Sequence, residues 1–309
     1  MLKQIEGSHA VAHVVAQCRP NVISAYPITP QTHIVEELAD IVGAGQLDAE
    51  FVNVESEFSA ASVVLGASAA GARAYTATSS QGLLLMSEVI YCIAGMRLPI
   101  VMTCANRAIS APLSIWNDQQ DSMAVRDAGW IQLHAEDNQE ASDLHIQAFK
   151  IAEKTFLPVM VCMDGFILTH AYEPVDIPEQ KEVDDFLPAF KPRHIVDPRW
   201  PRGIGLFADP RFYMETRYIL HRALEKSEDT IKEVSSEFAK AFGRESGGFI
   251  KTYKLEEADV AVVSMGSVVG TIKELIDQLE EEGKKVGLLQ ICSYRPFPRE
   301  EVYRALQDK

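Results

Sequence analysis

Short, continuously apolar runs alternate with helix-length segments through most of this 309-residue sequence, and no other pattern narrows the fold as far. The runs are Asn21–Ala25, Val52–Val54, Ala72–Ala77, Pro99–Cys104, Trp130–Ala135 and Pro158–Met163. Helical spacing fills the intervals at Ser8–Cys18, with Ser8 as its expected cap, and at Thr32–Val42, Ser59–Ala70, Gly82–Gly95 and Asn138–Lys154. A strand apolar at every position is buried on both faces. Strands alternating with helices therefore predict an α/β fold, a parallel sheet with helices on both faces. In such sheets ligands bind beyond the carboxyl ends of the strands. The loops there are Tyr26–Pro30, Glu55–Glu57, Thr78–Gln81, Ala105–Gln120 and Asp164–His170, which hold most of the unusual polar residues.

After Ala171 the pattern changes. Residues 171–207 are dense in proline and charge and read as a long connection or arm outside the core. Pro210–Phe242 predicts one long helix or a helical pair. Ala258–Met265 and Val286–Ile291 predict strands, with helices over Ser267–Glu282 and at the end of the chain. These open a second α/β domain with only two clear strands, too few for an ordinary sheet. Its sheet is expected to be completed beyond the segment or against a partner.

Charge and cysteine content exclude several classes. With 29 basic and 44 acidic residues the net charge is −15, which argues against nucleic acid as a partner, since phosphate binding needs a cationic face. The five cysteines are scattered, with no CxxC pair, so neither a cluster-binding loop nor a zinc site is visible and a reducing compartment is expected. The polar start, Met1–Gly7, is no signal peptide, and no apolar run reaches the ~18 residues of a membrane span. A cytoplasmic protein without membrane contact is expected. The eight histidines show no HExxH and no ligand spacing, so no metal ligands are assigned.

Familiar nucleotide signatures fail. Gly43-Ala44-Gly45 is followed by Asp48 where the dinucleotide fingerprint needs its third glycine, and Gly66 to Gly71 lacks the Lys-Ser/Thr of a P-loop. Ser264–Ser267 joins a strand to a helix start and is either an anion site or a plain tight turn. No GxSxG elbow is present. The stretch Val52–Glu88 stands out instead. Glu55 and Glu57 precede a helix rich in small residues, including Ala60, Ala61, Ala67, Ala69 and Ala70. Acids at a helix start can simply favour the dipole, but close packing implies burial, and a buried carboxylate needs a specific partner. Arg107 has two readings, a structural ion pair or a fork for a substrate carboxylate. Thr29 can satisfy backbone groups in its proline-bounded loop. The Trp116–Asp121 loop is either a turn or a wall of the pocket.

Five motifs then occur in order: Tyr26-Pro27-Ile28-Thr29-Pro30, Glu55-Ser56-Glu57, Ala77-Thr78-Ser79-Ser80-Gln81-Gly82-Leu83, Asn106-Arg107 and Asp164-Gly165-Phe166. Together they resemble the α subunit of 2-oxoacid:ferredoxin oxidoreductases, the pyruvate members above all. Ser293–Pro298 resembles the second domain of that family. The resemblance covers essentially the whole chain. It implies a thiamine diphosphate-binding-type fold, with a pyrimidine-binding domain core at 1–170, a connecting arm and helices at 171–255, and the start of an incomplete transketolase C-terminal-like domain at 256–309.

The activity it implies is oxidative decarboxylation of a 2-oxoacid with coenzyme A, giving acyl-CoA, carbon dioxide and electrons for ferredoxin. The resemblance puts Glu57, rather than Glu55, on the cofactor's aminopyrimidine ring. It puts Pro27, Ile28, Ser80 and Gln81 around the cofactor, and Thr29 and Arg107 on the substrate. The Gly-Asp-Gly diphosphate–magnesium loop is absent from this sequence. A β subunit is therefore implied for the diphosphate and Mg2+, and γ- and δ-type subunits for the iron–sulfur clusters, with ferredoxin reached indirectly. Thr29, with no cation beside it for a second carboxylate, favours pyruvate. Branched-chain, aryl and oxalate substrates share the framework, and a non-catalytic assembly subunit is the rival of another class.

Overall fold

The computed structural model describes residues 2–201, 203–205 and 207–309. The chain begins with a strand, β1 (Leu2–Glu6), and runs through α1 (Gly7–Gln17), β2 (Val22–Ser24), α2 (Thr32–Gly43), β3 (Glu50–Val52), α3 (Glu57–Ala69) and β4 (Ala74–Thr78). Two short helices follow, α4 (Ser80–Leu85) and α5 (Ser87–Gly95), then β5 (Val101–Asn106), α6 (Gln120–Ala124), β6 (Ile131–His134), α7 (Asn138–Thr155) and β7 (Val159–Asp164). Next come β8 (Tyr172–Asp176), α8 (Gln180–Phe186) and the 33-residue α9 (Pro210–Phe242). The last part comprises β9 (Ile250–Tyr253), β10 (Val260–Ser264), α10 (Val268–Glu281), β11 (Val286–Ile291), β12 (Ser293–Arg295) and α11 (Arg299–Leu306).

The main sheet has the order β12-β6-β7-β5-β4-β2-β3. Its strands are parallel except β12, which runs antiparallel to β6. Every residue of β4, β5, β6 and β7 is buried, so both faces of the sheet are covered, as apolar runs without alternation require. Helix α7 is almost wholly inside. Asp137 caps it by accepting from the Glu140 N–H (2.7 Å), and Phe156 ends it in a left-handed turn. Helix α9 lies across it. Asp209 caps α9, Pro210 opens it and Gly243 closes it, and its buried stripe Leu220, Leu224, Ser227, Ile231, Val234 and Phe238 keeps the helical period.

Several expectations are corrected. Ser8 does not cap α1. Glu6 holds the cap position, and the free N–H groups of Gly7 and Ser8 donate to the Ala171 and Thr169 carbonyls (both 3.0 Å). The Ser8 hydroxyl donates to Thr169 O as well (2.8 Å). Backbone from a distant turn does the work of a cap. It approaches so closely that a Cβ at Gly7 would lie 2.2 Å from the Leu168 carbonyl oxygen. The expected single helix Gly82–Gly95 is two, broken at Met86. The 171–207 segment is not outside the core: β8 pairs with β1, and Val175, Ile177, Val183, Phe186 and Leu187 are buried in the main cluster. The second sheet has three strands, not two, because β9 pairs antiparallel with β11 in the order β10-β11-β9.

Charged contacts fasten this second sheet to the first. Lys251 of β9 reaches Glu140 (2.7 Å) and Glu136 (3.1 Å), and Lys273 reaches Glu136 (2.5 Å). Burial pushes the Glu140 carboxyl up, against the pull of Lys251. The anion site considered at Ser264–Ser267 is filled from within the chain: Asp164 Oδ2 accepts from the Ser267 N–H (2.7 Å) and hydroxyl (2.6 Å).

Within the core, the Tyr75 hydroxyl donates to Thr103 Oγ1 (2.5 Å), which donates to His145 Nε2 (2.5 Å). His145 Nδ1–H donates to the Ala141 carbonyl (2.6 Å). In the neutral ring Nε2 accepts, which sets these directions, and burial favours that form, pulling the His145 pKa from 6.5 down to about 4. Between those values the unfolded chain binds a proton that the folded chain refuses. The stability His145 contributes is therefore complete above pH 6.5 and is lost as pH falls towards 4, by about 3 kcal/mol in all. Urea midpoints measured across this range should show that loss, and His145→Gln should flatten it.

Candidate active site

Five loops lie at the carboxyl edge of the main sheet. Ser56 caps α3 by accepting from the Ser59 N–H (3.2 Å), which fixes Glu57 in the first helical turn. The two acids there separate. Glu55 is exposed and accepts from the Ser59 hydroxyl (2.6 Å), a bond that holds its carboxyl below the usual range. Glu57 is only 8% exposed, and among the described residues its carboxylate has no hydrogen-bond or ion-pair partner. It faces Gly82 at the start of α4. A Cβ on Gly82 would lie 2.6 Å from Thr78 Oγ1 and 2.7 Å from Glu57 Oε1. The Thr78 and Ser79 hydroxyls beside it are buried and also lack protein partners. An acid and two buried hydroxyls at this strand end are thus left without protein partners.

Arg107, at the end of β5, is the second centre. Its side chain donates to the carbonyls of Thr29 (Nη1, 2.7 Å) and Ser114 (Nε, 3.2 Å) and to Gln81 Oε1 (Nη2, 3.1 Å). Three of the guanidinium's five N–H donors are thus used, and two are left for a ligand. Burial lowers its pKa, and the nearby Asp121 charge opposes that shift. Thr29 meets Arg107 through its backbone, with its side chain exposed. Gln81 meets it through its side chain. The Ser80 hydroxyl lies within bonding distance of the Ala108 carbonyl (2.6 Å) and of Gln81 Oε1, and its one proton can go to either. Pro27 is exposed and Ile28 half-buried on the rim. Gln31 anchors their loop, accepting from the Ile28 N–H (3.2 Å) and donating to the Ala77 carbonyl (2.8 Å).

The residue that organises this edge carried no recognised role in the sequence. Asp121, fully buried, accepts at Oδ2 from the N–H groups of Ser80 (2.9 Å) and Arg107 (3.0 Å). At Oδ1 it accepts from Asn106 Nδ2 (2.8 Å) and the Ser122 N–H (2.7 Å). Burial raises its pKa, and these four donors oppose the rise. The only hint in the sequence was an acid ending a polar loop at the strand edge. Trp116, earlier in that loop, packs against Phe166 with tilted rings at 5.1 Å.

The parallel sheet, with its polar groups at the carboxyl edge, is the fold of thiamine-dependent enzymes. It is similar to that of a 2-oxoglutarate:ferredoxin oxidoreductase from Magnetococcus marinus, solved with 2-oxoglutarate, coenzyme A and succinyl-CoA bound. The TM-score is 0.78 over 98% of this chain and 56% of that one, at 22% identity. The sequence goes further than fold: the chain belongs to the pyruvate flavodoxin/ferredoxin oxidoreductase family. Its thiamine diphosphate-binding domain matches residues 13–236, and the pyruvate:ferredoxin oxidoreductase core domain II matches 258–309. The pyruvate synthase subunit PorA of Methanosarcina barkeri is 53% identical over 98% of this chain and 76% of its own length. The ketoisovalerate oxidoreductase subunit VorA of Pyrococcus horikoshii is 45% identical over 97% and 76%. Among the described residues, no helix is long and apolar enough to cross a membrane.

Two substitutions test this geometry. Asp121→Asn turns an N–H2 towards one pair of donors and strands them, so urea unfolding should show a loss of about 2–4 kcal/mol. Gly82→Ala should cost about 1–3 kcal/mol, because the new methyl must displace Thr78 or Glu57.

Proposed function

We propose that this chain is the α subunit of a thiamine diphosphate-dependent 2-oxoacid:ferredoxin oxidoreductase, with pyruvate as its substrate. The observation that carries this reading is the nearly buried, partnerless Glu57 carboxylate beside Gly82. The 53% identity to a pyruvate synthase subunit, against 45% to a ketoisovalerate oxidoreductase subunit, supports pyruvate. The residues fit the pyrimidine end of the cofactor. Glu57 would hold the ring by a short hydrogen bond, and Thr78 and Ser79 offer hydroxyls beside it. Pro27, Ile28, Ser80 and Gln81 would line the rest. When bound, thiamine diphosphate supplies the nucleophilic carbon and the electron sink for decarboxylation.

This chain's own groups then have distinct tasks. Glu57, at a helix N-terminus and only 8% exposed, would share a proton with the ring nitrogen it holds. Arg107 donates its two unused N–H groups to the substrate carboxylate, while its other three keep the Thr29 loop and Gln81 in place. Thr29 offers its exposed hydroxyl to the substrate. Glu57, Thr29 and Arg107 are the proposed catalytic residues, and the chain itself holds no metal in this scheme.

A β subunit would hold the diphosphate and Mg2+. The γ- and δ-type subunits would carry the iron–sulfur clusters that pass electrons to ferredoxin, and coenzyme A would accept the acyl group in the cytoplasm. In this reading residues 1–170 are the pyrimidine-binding core, 171–255 the connecting arm and helices, and 256–309 the start of the transketolase C-terminal-like domain.

The test is pyruvate- and coenzyme A-dependent viologen reduction by the chain co-expressed with its partner subunits. Glu57→Gln should lower kcat at least about 100-fold with every 2-oxoacid tried. Arg107→Ala should raise KM for pyruvate by about 10- to 100-fold. Wild-type turnover by the Glu57→Gln complex would reject the reading.

A further inference from the structure

Four histidines and two acids gather where the N-terminal strand meets the first two helices, next to the Asp164–His170 loop of the carboxyl edge. Glu6 ends β1, His9 and His13 lie one turn apart on α1, His33 and Glu37 lie one turn apart on α2, and His170 follows β7. We propose that Glu6, His9 and His33 form a binding site for one divalent transition-metal ion of the zinc class. The donor atoms of these three side chains all lie within 4.8 Å of one another. Glu6 Oε1 is 2.6 Å from His33 Nδ1, and the His9 and His33 rings are 6.1 Å apart.

Two imidazoles and a carboxylate form a donor set that zinc accepts in four-coordinate sites, with water in the fourth position. Bonds of about 2.0–2.2 Å place tetrahedral donors roughly 3.4 Å apart, so the site closes with about an ångström of side-chain movement. His9 and His33 can make that movement, because their side chains are 37% and 41% exposed. Glu6 is the fixed member, at 6% exposure. The three ligands come from three different elements, so the backbone sets the site rather than one helix face.

The surroundings suit a cation. Glu37 lies 4.0 Å from His9 Nε2 and 3.4 Å from His13 Nε2, placed to orient His9 as outer carboxylates orient metal-bound histidines. His170 packs against His33 with tilted rings at 4.8 Å, and Phe166 stacks on His170 at 4.5 Å. Burial lowers the pKa of both His13 and His170, which keeps these neighbours neutral and available. Lys3 also faces His13, with the Glu37 carboxylate opposing it more strongly. The ion would take the place of the Glu6–His33 hydrogen bond. It would also tie the β1–α1 corner to the helix that follows the Tyr26–Pro30 loop.

The experiment uses the full chain, stripped with chelator and titrated with Zn2+ by calorimetry and with Co2+ by absorbance. One ion per chain is expected, with a Zn2+ Kd tighter than about 1 μM and four-coordinate Co2+ bands. His9→Ala and His33→Ala should each weaken Zn2+ binding at least about tenfold. His221→Ala, at an exposed histidine on α9, should leave it unchanged. Circular dichroism checks the fold of each variant, and X-ray absorption at the zinc edge of the wild type counts the imidazoles without any variant. No stoichiometric uptake by the folded wild type, uptake that survives both histidine substitutions, or a zinc shell without two imidazoles would each overturn the proposal.

Discussion

One carboxylate, Asp121, holds the carboxyl edge of the sheet in shape. Its two oxygens take four N–H donors from the end of β5, the start of α4 and the start of α6. Desolvating that acid is costly, and the donors repay the cost only while all of them point at it. The interaction is therefore nearly all-or-none. With it in place, Ser80 keeps a left-handed backbone (φ 47°), which turns Gln81 towards Arg107. Arg107 in turn grips the Thr29 carbonyl. A buried charge thus sets the positions of Ser80, Gln81, Arg107 and the Thr29 loop.

The second sheet relies on a similar device at another strand end. Asp164 closes β7 and accepts from Ser267 at the turn before α10, so the helix end that looks free in sequence is already occupied. Lys251 and Lys273 add charged ties to Glu136 and Glu140, and β12 crosses over to extend the main sheet beside β6. The same polar groups that finish the first domain's strands seat the second domain.

What was legible in the sequence follows from what each element needs locally. Strands β4, β5 and β7 are buried on both faces, so each had to be apolar throughout and could be seen. Strands β1 and β8 stayed hidden because their residues are mostly polar or exposed and their pairing joins Leu2 to Asp176, far apart in the chain. Strand β9 is half-buried on the rim of a small sheet, and Ile-Lys-Thr-Tyr gives only a faint alternation. The acidic pair before α3 was visible, and so was the small-residue helix that buries one of the two. Asp121 was not, because its importance lies in four donors supplied by other segments. His9 and His13 show helical spacing on their own, but Glu6 and His33 join them only through the packing of α1 on α2 and the turn from β1.

Glu57 shows why such a site must be assembled from more than a motif. A carboxylate at a helix start is common and, when solvated, unremarked in energy. Here Gly82 and the alanines of α3 pack closely around it, and among the described residues the chain provides no counter-donor. Neither the helix start nor the small-residue run shows this alone, because Gly82 comes to Glu57 from another element.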